Sequence, residues 1–417
     1  MMKCVLPSPV DGSMDAPPSK SLAIRALAAG LLSGGECLVE NSCTCDDARA
    51  ALGIVRTLGT EVEERPGRWL IRSGGQAAGE ELDCRESGLS LRLFAAVCAA
   101  GDRQFVLRAR GGLARRPVDM VAGALESLGA SCHTNNGRPP LRVRGPLRAG
   151  SARVDGSTTS QHLSGLLMVL PLCRGESRLQ VEGLVSRPYL EMTRELLEAF
   201  GIVVEWSRGG DVLVIPGGQS YRPPPRYRLE GDWSAAAFLL VAGALAGRVT
   251  VRRLRLDSRQ ADRAVLEALR RAGARVRVAD GGVEVAREHL RAFDFDARDC
   301  PDLVPPLAAL AACCRGTSRL RGASRLRHKE SDRAAALASE LGRLGVQVRV
   351  HDDELLVGPG RWRTGRVSSH GDHRIAMAAA VAGLGAGVAV EIDDAGCVAK
   401  SYPDFFAALA GLGVEVR

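Results

Sequence analysis

A segment of one kind comes round six times in this chain: an amphipathic stretch of helical spacing runs into a glycine and then into alternating apolar and polar residues. The instances are VRTLGTEVEE around Gly59, LESLGASCH around Gly129, LEAFGIVVEW around Gly201, LRRAGARVRV around Gly273, LGRLGVQVRV around Gly345 and LAGLGVEVR around Gly413, with glycines 70, 72, 72, 72 and 68 residues apart. Glycine at a helix end accepts the left-handed capping conformation, and the alternation beyond it suits a half-buried strand. A second stretch keeps the same period and opens on a small polar or acidic residue: SKSLAIRALAAGLL, ESGLSLRLFAAVCAA, TSQHLSGLLMVLPL, DWSAAAFLLVAGALA, PDLVPPLAALAACC and DHRIAMAAAVAGL. It is apolar nearly all round, which predicts six buried helices. One such unit is too small to fold well alone but natural in threes. An α/β chain of two three-repeat domains follows, 19–229 and 1–18 plus 230–417. The break is expected between Arg228 and Asp232, after the proline-rich Tyr221 to Pro225. The first fifteen or so residues precede the first buried helix and are expected to complete a strand in the second domain.

At 417 residues and 46% hydrophobic, the chain exceeds what one core usually holds, in keeping with two domains. No stretch reads as a signal peptide or membrane span, so a soluble protein is expected. Twelve cysteines are scattered without paired CxxC units, and only Cys43-Thr44-Cys45 and Cys313-Cys314 are close. They read as reduced apolar side chains in a cytoplasmic protein, with no metal site. A net charge of +8 favours anions, but 4% aromatics and the lack of a basic run disfavour nucleic acid. Anions of some kind are expected as partners, with neither nucleic acid nor membrane engaged, and which anions stays open at this point. Lysine is rationed: Lys3, Lys20, Lys329 and Lys400 are the only four among 56 basic residues. A chain so biased toward arginine keeps lysine where a compact ammonium is required. None of the four sits in a P-loop pattern.

Three of these lysines fall where the repeats place other polar residues. Pro17-Pro18-Ser19-Lys20-Ser21 with Arg25 opens the first buried helix, Ser87-Gly88 with Arg92 the second, and Thr159-Ser160-Gln161 the third. Asp302 opens the fifth and Asp372-His373-Arg374 the sixth, while Arg327 to Arg333 is expected to start an amphipathic helix. Taken singly, Ser19 and Ser21 read as caps, Gly88 as a turn, and Lys329 to Arg333 as a solvated helix start. Their placement at corresponding points of a repeat suggests an anion site built on helix N-termini.

In order from Pro17-Pro18-Ser19-Lys20-Ser21 to Lys400-Ser401-Tyr402-Pro403-Asp404, the whole chain resembles the EPSP synthases (3-phosphoshikimate 1-carboxyvinyltransferases). The resemblance implies the enolpyruvyl transferase fold, a two-domain inside-out α/β barrel of six repeats with its active site in the cleft between domains. It implies transfer of the enolpyruvyl group of phosphoenolpyruvate to the 5-hydroxyl of shikimate 3-phosphate, the step of aromatic amino-acid biosynthesis that glyphosate targets, with no metal or organic cofactor. Phosphoenolpyruvate would meet Lys20, Gly88, Arg116, Gln161, Arg333, Arg374 and Lys400. Shikimate 3-phosphate would meet Ser21, Arg25, Thr159, Ser160, Gln161, Ser186, Tyr189, Asp302 and Lys329. Asp302 and Glu330 would be the acid and base carboxylates, with Lys20 also placed for proton transfer.

The chain departs from the family pattern in places. Glu86 stands where asparagine is usual, Leu89 replaces a threonine, Thr159 a serine and Arg325 an asparagine. Glu86 adds an anion that Arg92 or Arg116 would have to offset. Two other readings stay open on the residues. One is the sister enzyme whose acceptor is UDP-N-acetylglucosamine, although the loop Arg110 to Pro117 lacks its cysteine. The other is a silent anion- or RNA-end-binding protein, against which Lys20, Asp302, Glu330 and Lys400 argue.

Overall fold

Each predicted buried helix is present: Lys20–Leu32, Gly88–Cys98, Gln161–Val169, Trp233–Ala246, Val304–Ala312 and His373–Ala386. The computed structural model describes residues 1–279 and 281–417. All 11 residues of Gly88–Cys98 are buried, as a helix apolar on every face requires. Side chains fix where four of these helices begin. Ser19, Ser87, Asp232 and Asp372 accept hydrogen bonds from the backbone N–H groups of Leu22, Ser90, Ala235 and Arg374. The amphipathic helices Asp46–Thr57, Asp119–Glu126, Arg187–Ala199, Val265–Arg271, Arg333–Arg343 and Phe405–Gly411 each run out into a repeat glycine. Those six glycines have φ of 95, 86, 76, 90, 93 and 94°, so each adopts the positive φ that the spacing predicts.

Two helix starts differ from the sequence reading. Asp302 lies in a 3-10 turn, Pro301–Leu303, and the α-helix begins only at Val304. Pro305 and Pro306 have no N–H to donate, so they fit only in the first turn and push the helix start past Asp302. Lys329 and Glu330 likewise precede their helix instead of opening it. A 3-10 segment, Ala323–His328, ends before them, and Asp332 caps the helix from Arg333 by accepting from Ala335 N at 3.1 Å. Both acid candidates therefore ride on short non-α segments, whose backbone turns more sharply than a helix.

Among the described residues there are six small sheets, five of four strands and one of three. In the second, Glu81–Asp83 runs parallel to Gln104–Arg108, which pairs antiparallel with Arg138–Arg144 and, beyond it, Ser131–Asn135. The buried helix crosses between the two parallel strands, as parallel pairing demands. The third and fifth sheets repeat this plan. The first and fourth exchange a strand. Val10–Asp15 leads into the first buried helix yet pairs with Gly247–Arg252, after the fourth; Arg226–Arg228 leads into the fourth yet pairs with Glu36–Glu40, after the first. In the sixth, Lys3–Val5 pairs antiparallel with Val390–Asp393.

Two units result, one the continuous run Pro18–Leu229 and the other Met1–Pro17 with Glu230–Arg417. Each has its own apolar core, around Leu27, Phe94, Leu167 and Phe200 in the first and Trp233, Phe238, Leu307, Met377 and Phe405 in the second. No helix among the described residues is long and apolar enough to cross a membrane.

Candidate active site

In the unit Pro18–Leu229, Lys20 is the first residue of its buried helix, and its Nζ lies 3.0 Å from Asp47 Oδ2. The two side chains are 14% and 6% exposed. So buried an ion pair is weak evidence of stabilisation, but it holds the ammonium in one place. One turn on, Arg25 is fully enclosed and bonded to three elements. Its Nε donates to Thr193 Oγ1 at 2.8 Å, Nη1 to Ser21 O at 3.0 Å, and Nη2 to Ser164 Oγ at 3.0 Å and Tyr189 O at 3.4 Å. Burial lowers its pKa from 12.5 to about 10, which leaves it charged at neutral pH. Arg25 thus ties together Ser21 and Tyr189, two other members of the predicted shikimate 3-phosphate set.

The same network reaches the third buried helix. Ser164 Oγ donates to Ser160 O at 3.3 Å, and Ser160 Oγ to Ser186 O at 3.3 Å. Ser186 sits in the left-handed region at φ 58°, a conformation that costs a non-glycine residue about 1–2 kcal/mol and is kept where a side chain must be aimed. Thr159 Oγ1 accepts from Gln161 N at 3.3 Å, which sets the turn ahead of that helix.

Gly88 begins the second buried helix with no room above it. A Cβ there would lie 2.9 Å from both Arg92 Nη1 and Arg116 Nη1. Arg92 is held by Gln161 Oε1 at 2.9 Å and Pro117 O at 3.2 Å. Gly88, Arg116 and Gln161 therefore meet at one helix N-terminus, with two guanidinium groups adding to its positive end. Glu86 turns toward the loop Gly111–Arg115: its Oε1 lies 2.3 Å from where a Cβ on Gly111 would stand, and Gly111 has φ of 52°.

In the other unit, Asp302 receives three cations. Lys329 Nζ lies 3.4 Å and Arg333 Nη1 2.7 Å from Oδ1, and Arg374 Nη2 lies 3.1 Å from Oδ2. Arg333 Nη2 also meets Glu330 Oε2 at 2.6 Å, its Nε meets Asp372 Oδ2 at 2.8 Å, and Lys400 Nζ lies 3.9 Å from Glu330 Oε1. Six residues that the resemblance selected, Asp302, Lys329, Glu330, Arg333, Arg374 and Lys400, thus form one connected cluster. Burial alone would raise the proton affinity of Asp302, but Arg374, Lys329 and Arg333 outweigh it and hold the carboxyl well below the usual carboxylate range. For Lys329, burial wins over Asp302 and pulls the ammonium from 10.5 to about 8. Arg325, the departure from asparagine, turns its Nη1 to Arg298 O.

Three partners escaped the sequence reading of roles. Asp47 is not singled out in the sequence, Asp372 is named only as opening the sixth buried helix, and Arg92 only beside Ser87-Gly88 and as an offset to Glu86. The lysine rationing pointed to Lys20 but not to its partner Asp47, and Asp372 gave no signal that it also anchors Arg333. Among the described residues no group of three or more His, Cys, Asp or Glu is set to hold a metal ion.

Residues 6–409 match the sequence model of the family described as EPSP synthase (3-phosphoshikimate 1-carboxyvinyltransferase). A 3-phosphoshikimate 1-carboxyvinyltransferase of Aeropyrum pernix is 41% identical over 414 residues, covering 99% of this chain and 96% of the relative. One of Thermococcus kodakarensis is 40% identical over 403 residues, covering 95% and 97%. Among solved structures, an EPSP synthase from Acinetobacter baumannii superposes with a TM-score of 0.82 at 27% identity, over 100% of this chain and 99% of that one. The enolpyruvyl transferase NikO from Streptomyces tendae shares the fold, with a TM-score of 0.80 at 20% identity over 100% and 98% of the two chains.

Proposed function

Because the chain belongs to the EPSP synthase family, its reaction is transfer of the enolpyruvyl group of phosphoenolpyruvate to shikimate 3-phosphate, and we propose that the residues described above carry it out. Lys20, Gly88, Arg116, Gln161, Arg333, Arg374 and Lys400 bind phosphoenolpyruvate. Ser21, Arg25, Thr159, Ser160, Gln161, Ser186, Tyr189, Asp302 and Lys329 serve shikimate 3-phosphate, with Arg25 acting through the Ser21 and Tyr189 backbone it holds. The observation that carries this reading is the convergence of Lys329, Arg333 and Arg374 on Asp302, with Glu330 bonded to the same Arg333.

Addition and elimination make opposite demands. The 5-hydroxyl must lose a proton as it attacks C2 of the enol while C3 gains one; phosphate then leaves as the new methyl group gives a proton back. Asp302, ionised at any physiological pH, is suited to accept the hydroxyl proton. To Glu330, paired with Arg333 and Lys400, and to Lys20, paired with Asp47, we assign the proton exchange at the methyl carbon. Incoming phosphate and carboxylate groups compete with Asp302 for Lys329 and Arg374. As those cations turn to the substrates, Asp302 regains basicity at the moment a base is needed. The cations then neutralise the charge that builds on the departing phosphate. We place the reaction in the cytoplasm and assign it to a monomer; scattered cysteines suit a reducing compartment.

The test is phosphate release from phosphoenolpyruvate with shikimate 3-phosphate and, in parallel, UDP-N-acetylglucosamine as acceptor. Release with the first alone is expected. Lys20→Ala and Glu330→Ala should each abolish it while the fold persists, and normal rates in either would remove that residue from the mechanism.

A further inference from the structure

Glu340 is a buried carboxylate outside the cluster around Asp302. It is 2% exposed and lies in the helix Arg333–Arg343, whose other buried charge is Arg333 itself. Seven residues, close to two turns, separate them, so both point to one side of the helix, about 10.5 Å apart along its axis. They grip the same short segment of chain. Arg333 Nε and Nη2 meet Asp372 Oδ2 and Oδ1 at 2.8 and 3.3 Å. Glu340 Oε2 accepts from Ser368 N at 2.9 Å, and its Oε1 pairs with His370 Nε2 at 2.8 Å. An ionised carboxylate only accepts, so His370 carries its hydrogen on Nε2. Ser339 Oγ donates to Oε1 at 2.9 Å, and Arg343 Nε lies 3.5 Å from Oε2. A buried charge is kept only where its oxygens are so fully bonded. What it bonds is a strained turn. Ser368 ends the strand Gly365–Ser368, and the chain passes through His370 and Gly371, at φ 54° and 66°, before Asp372 caps His373–Ala386. The left-handed region costs a histidine about 1–2 kcal/mol and persists where the surroundings over-determine it. On one side Asp393 O and Asp394 O accept from Ser369 N and Oγ at 3.3 and 3.4 Å; on the other, Glu340 holds the residues before and after Ser369.

We propose that Glu340 is a positioning residue for the transfer: by fixing Ser368 and His370 to the helix that carries Arg333, it sets where Arg374 stands relative to Asp302. The proposal rests on the reading of Arg374 as a phosphoenolpyruvate ligand. Among the described residues Glu340 bonds to none assigned to either substrate, so it acts through the turn. Arg374 follows that turn directly: its N donates to Asp372 Oδ1 at 3.0 Å, and its Nη2 donates to Asp302 Oδ2 at 3.1 Å. Held at Asp372 alone, the turn could pivot about the Arg333 pair and carry Arg374 with it. A second attachment, two helical turns along the same face, removes that freedom. Glu340 thus does for the donor side of the site what Arg25 does for Ser21 and Tyr189.

The experiment measures kcat and both KM values for the full chain, Glu340→Gln and His370→Gly. Glutamine keeps an oxygen for Ser368 N but loses the second acceptor. Glycine removes the imidazole at a backbone angle that it adopts freely, so the urea midpoint should change little. In both variants the KM for phosphoenolpyruvate should rise on the order of tenfold, short of the roughly hundredfold that a misplacement of about 1 Å can cost. The KM for shikimate 3-phosphate should hold, because Asp302 and Lys329 lie outside the turn. An unchanged phosphoenolpyruvate KM in either variant overturns the proposal, and so does a matching rise in both KM values, which would mean a general loosening. Should Glu340→Gln misfold, His370→Gly decides the matter alone. An error in the reading of Arg374 shows separately, as an unchanged phosphoenolpyruvate KM in Arg374→Gln.

Discussion

Arg333 donates to three carboxylates at once and is 1% exposed, so its guanidinium is the centre of charge in its unit. Arg333→Ala would leave Asp372, itself wholly buried, without its ion-pair partner. A loss of about 3–5 kcal/mol is expected, measured by urea unfolding of the two chains. Arg333→Lys should recover only part of it, because one ammonium cannot reproduce a planar fork. Gly88→Ala is a test of a different kind. Its methyl group would meet only the far ends of Arg92 and Arg116, which can move, so the fold should survive while the KM for phosphoenolpyruvate rises; an unchanged KM would remove Gly88 and Arg116 from the donor site. Lys329 supplies a pH effect whose sign is fixed by burial. With its pKa drawn down to about 8, the ammonium is charged below that pH and neutral above it. The KM for shikimate 3-phosphate should therefore climb as pH passes through 8, and a flat profile would show that Lys329 does not hold the phosphate. Lys329 and Arg333 were legible as residues but not as a network, since no spacing in the sequence shows that both converge on Asp302, 27 and 31 positions earlier.

The recurring helix, glycine and strand was the most legible element, because periodic burial writes itself into residue order. All six glycines share a positive φ, yet they are not equivalent. At Gly345 an added Cβ would stand 2.0 Å from Arg361 O, whereas at Gly413 its nearest neighbour is Pro9 O at 3.5 Å. Gly413→Ala should cost about 1–2 kcal/mol, the strain of the backbone alone. Gly345→Ala should cost clearly more, since a backbone carbonyl must move; equal midpoints in thermal unfolding would contradict this. Short 3-10 segments were not legible. Asp302 and the run Arg327 to Arg333 read as helix starts, and only the Pro305-Pro306 pair and the Asp332 cap reveal where each helix truly begins. The strand exchange was legible by half: the opening residues were expected to complete a strand in the second domain, as Val10–Asp15 does, but the return of Arg226–Arg228 to Glu36–Glu40 was not foreseen. Arg226–Arg228 is only three residues long, and nothing in it names a partner more than 180 positions earlier.

At the scale of the molecule, that exchange makes the two units unequal. Pro18–Leu229 contains every strand of its three sheets, including Arg226–Arg228, and so should fold as an isolated fragment with a cooperative urea transition. Residues 230–417 alone lack Val10–Asp15 and Lys3–Val5, which leaves Gly247–Arg252 and Val390–Asp393 each paired on one side only. That fragment should be poorly folded and prone to associate through its open edges, and a synthetic peptide of residues 1–17 should restore it. If the fragment folds equally well without the peptide, those strands are ornaments of the sheet. The same connectivity imposes an order on synthesis. Val10–Asp15 leaves the ribosome well ahead of the strand it joins, which lies 237 positions later. At roughly 5–20 residues per second it waits roughly 12–50 s, while the whole of Pro18–Leu229 emerges behind it. Asp11 and Asp15, which end paired with Arg248 and Arg252, keep the waiting strand charged through that interval. A strand made before Pro18–Leu229 thus finds its place only after that unit is complete, and newly made protein that stops short of Gly247 carries one finished unit and an unmatched thread.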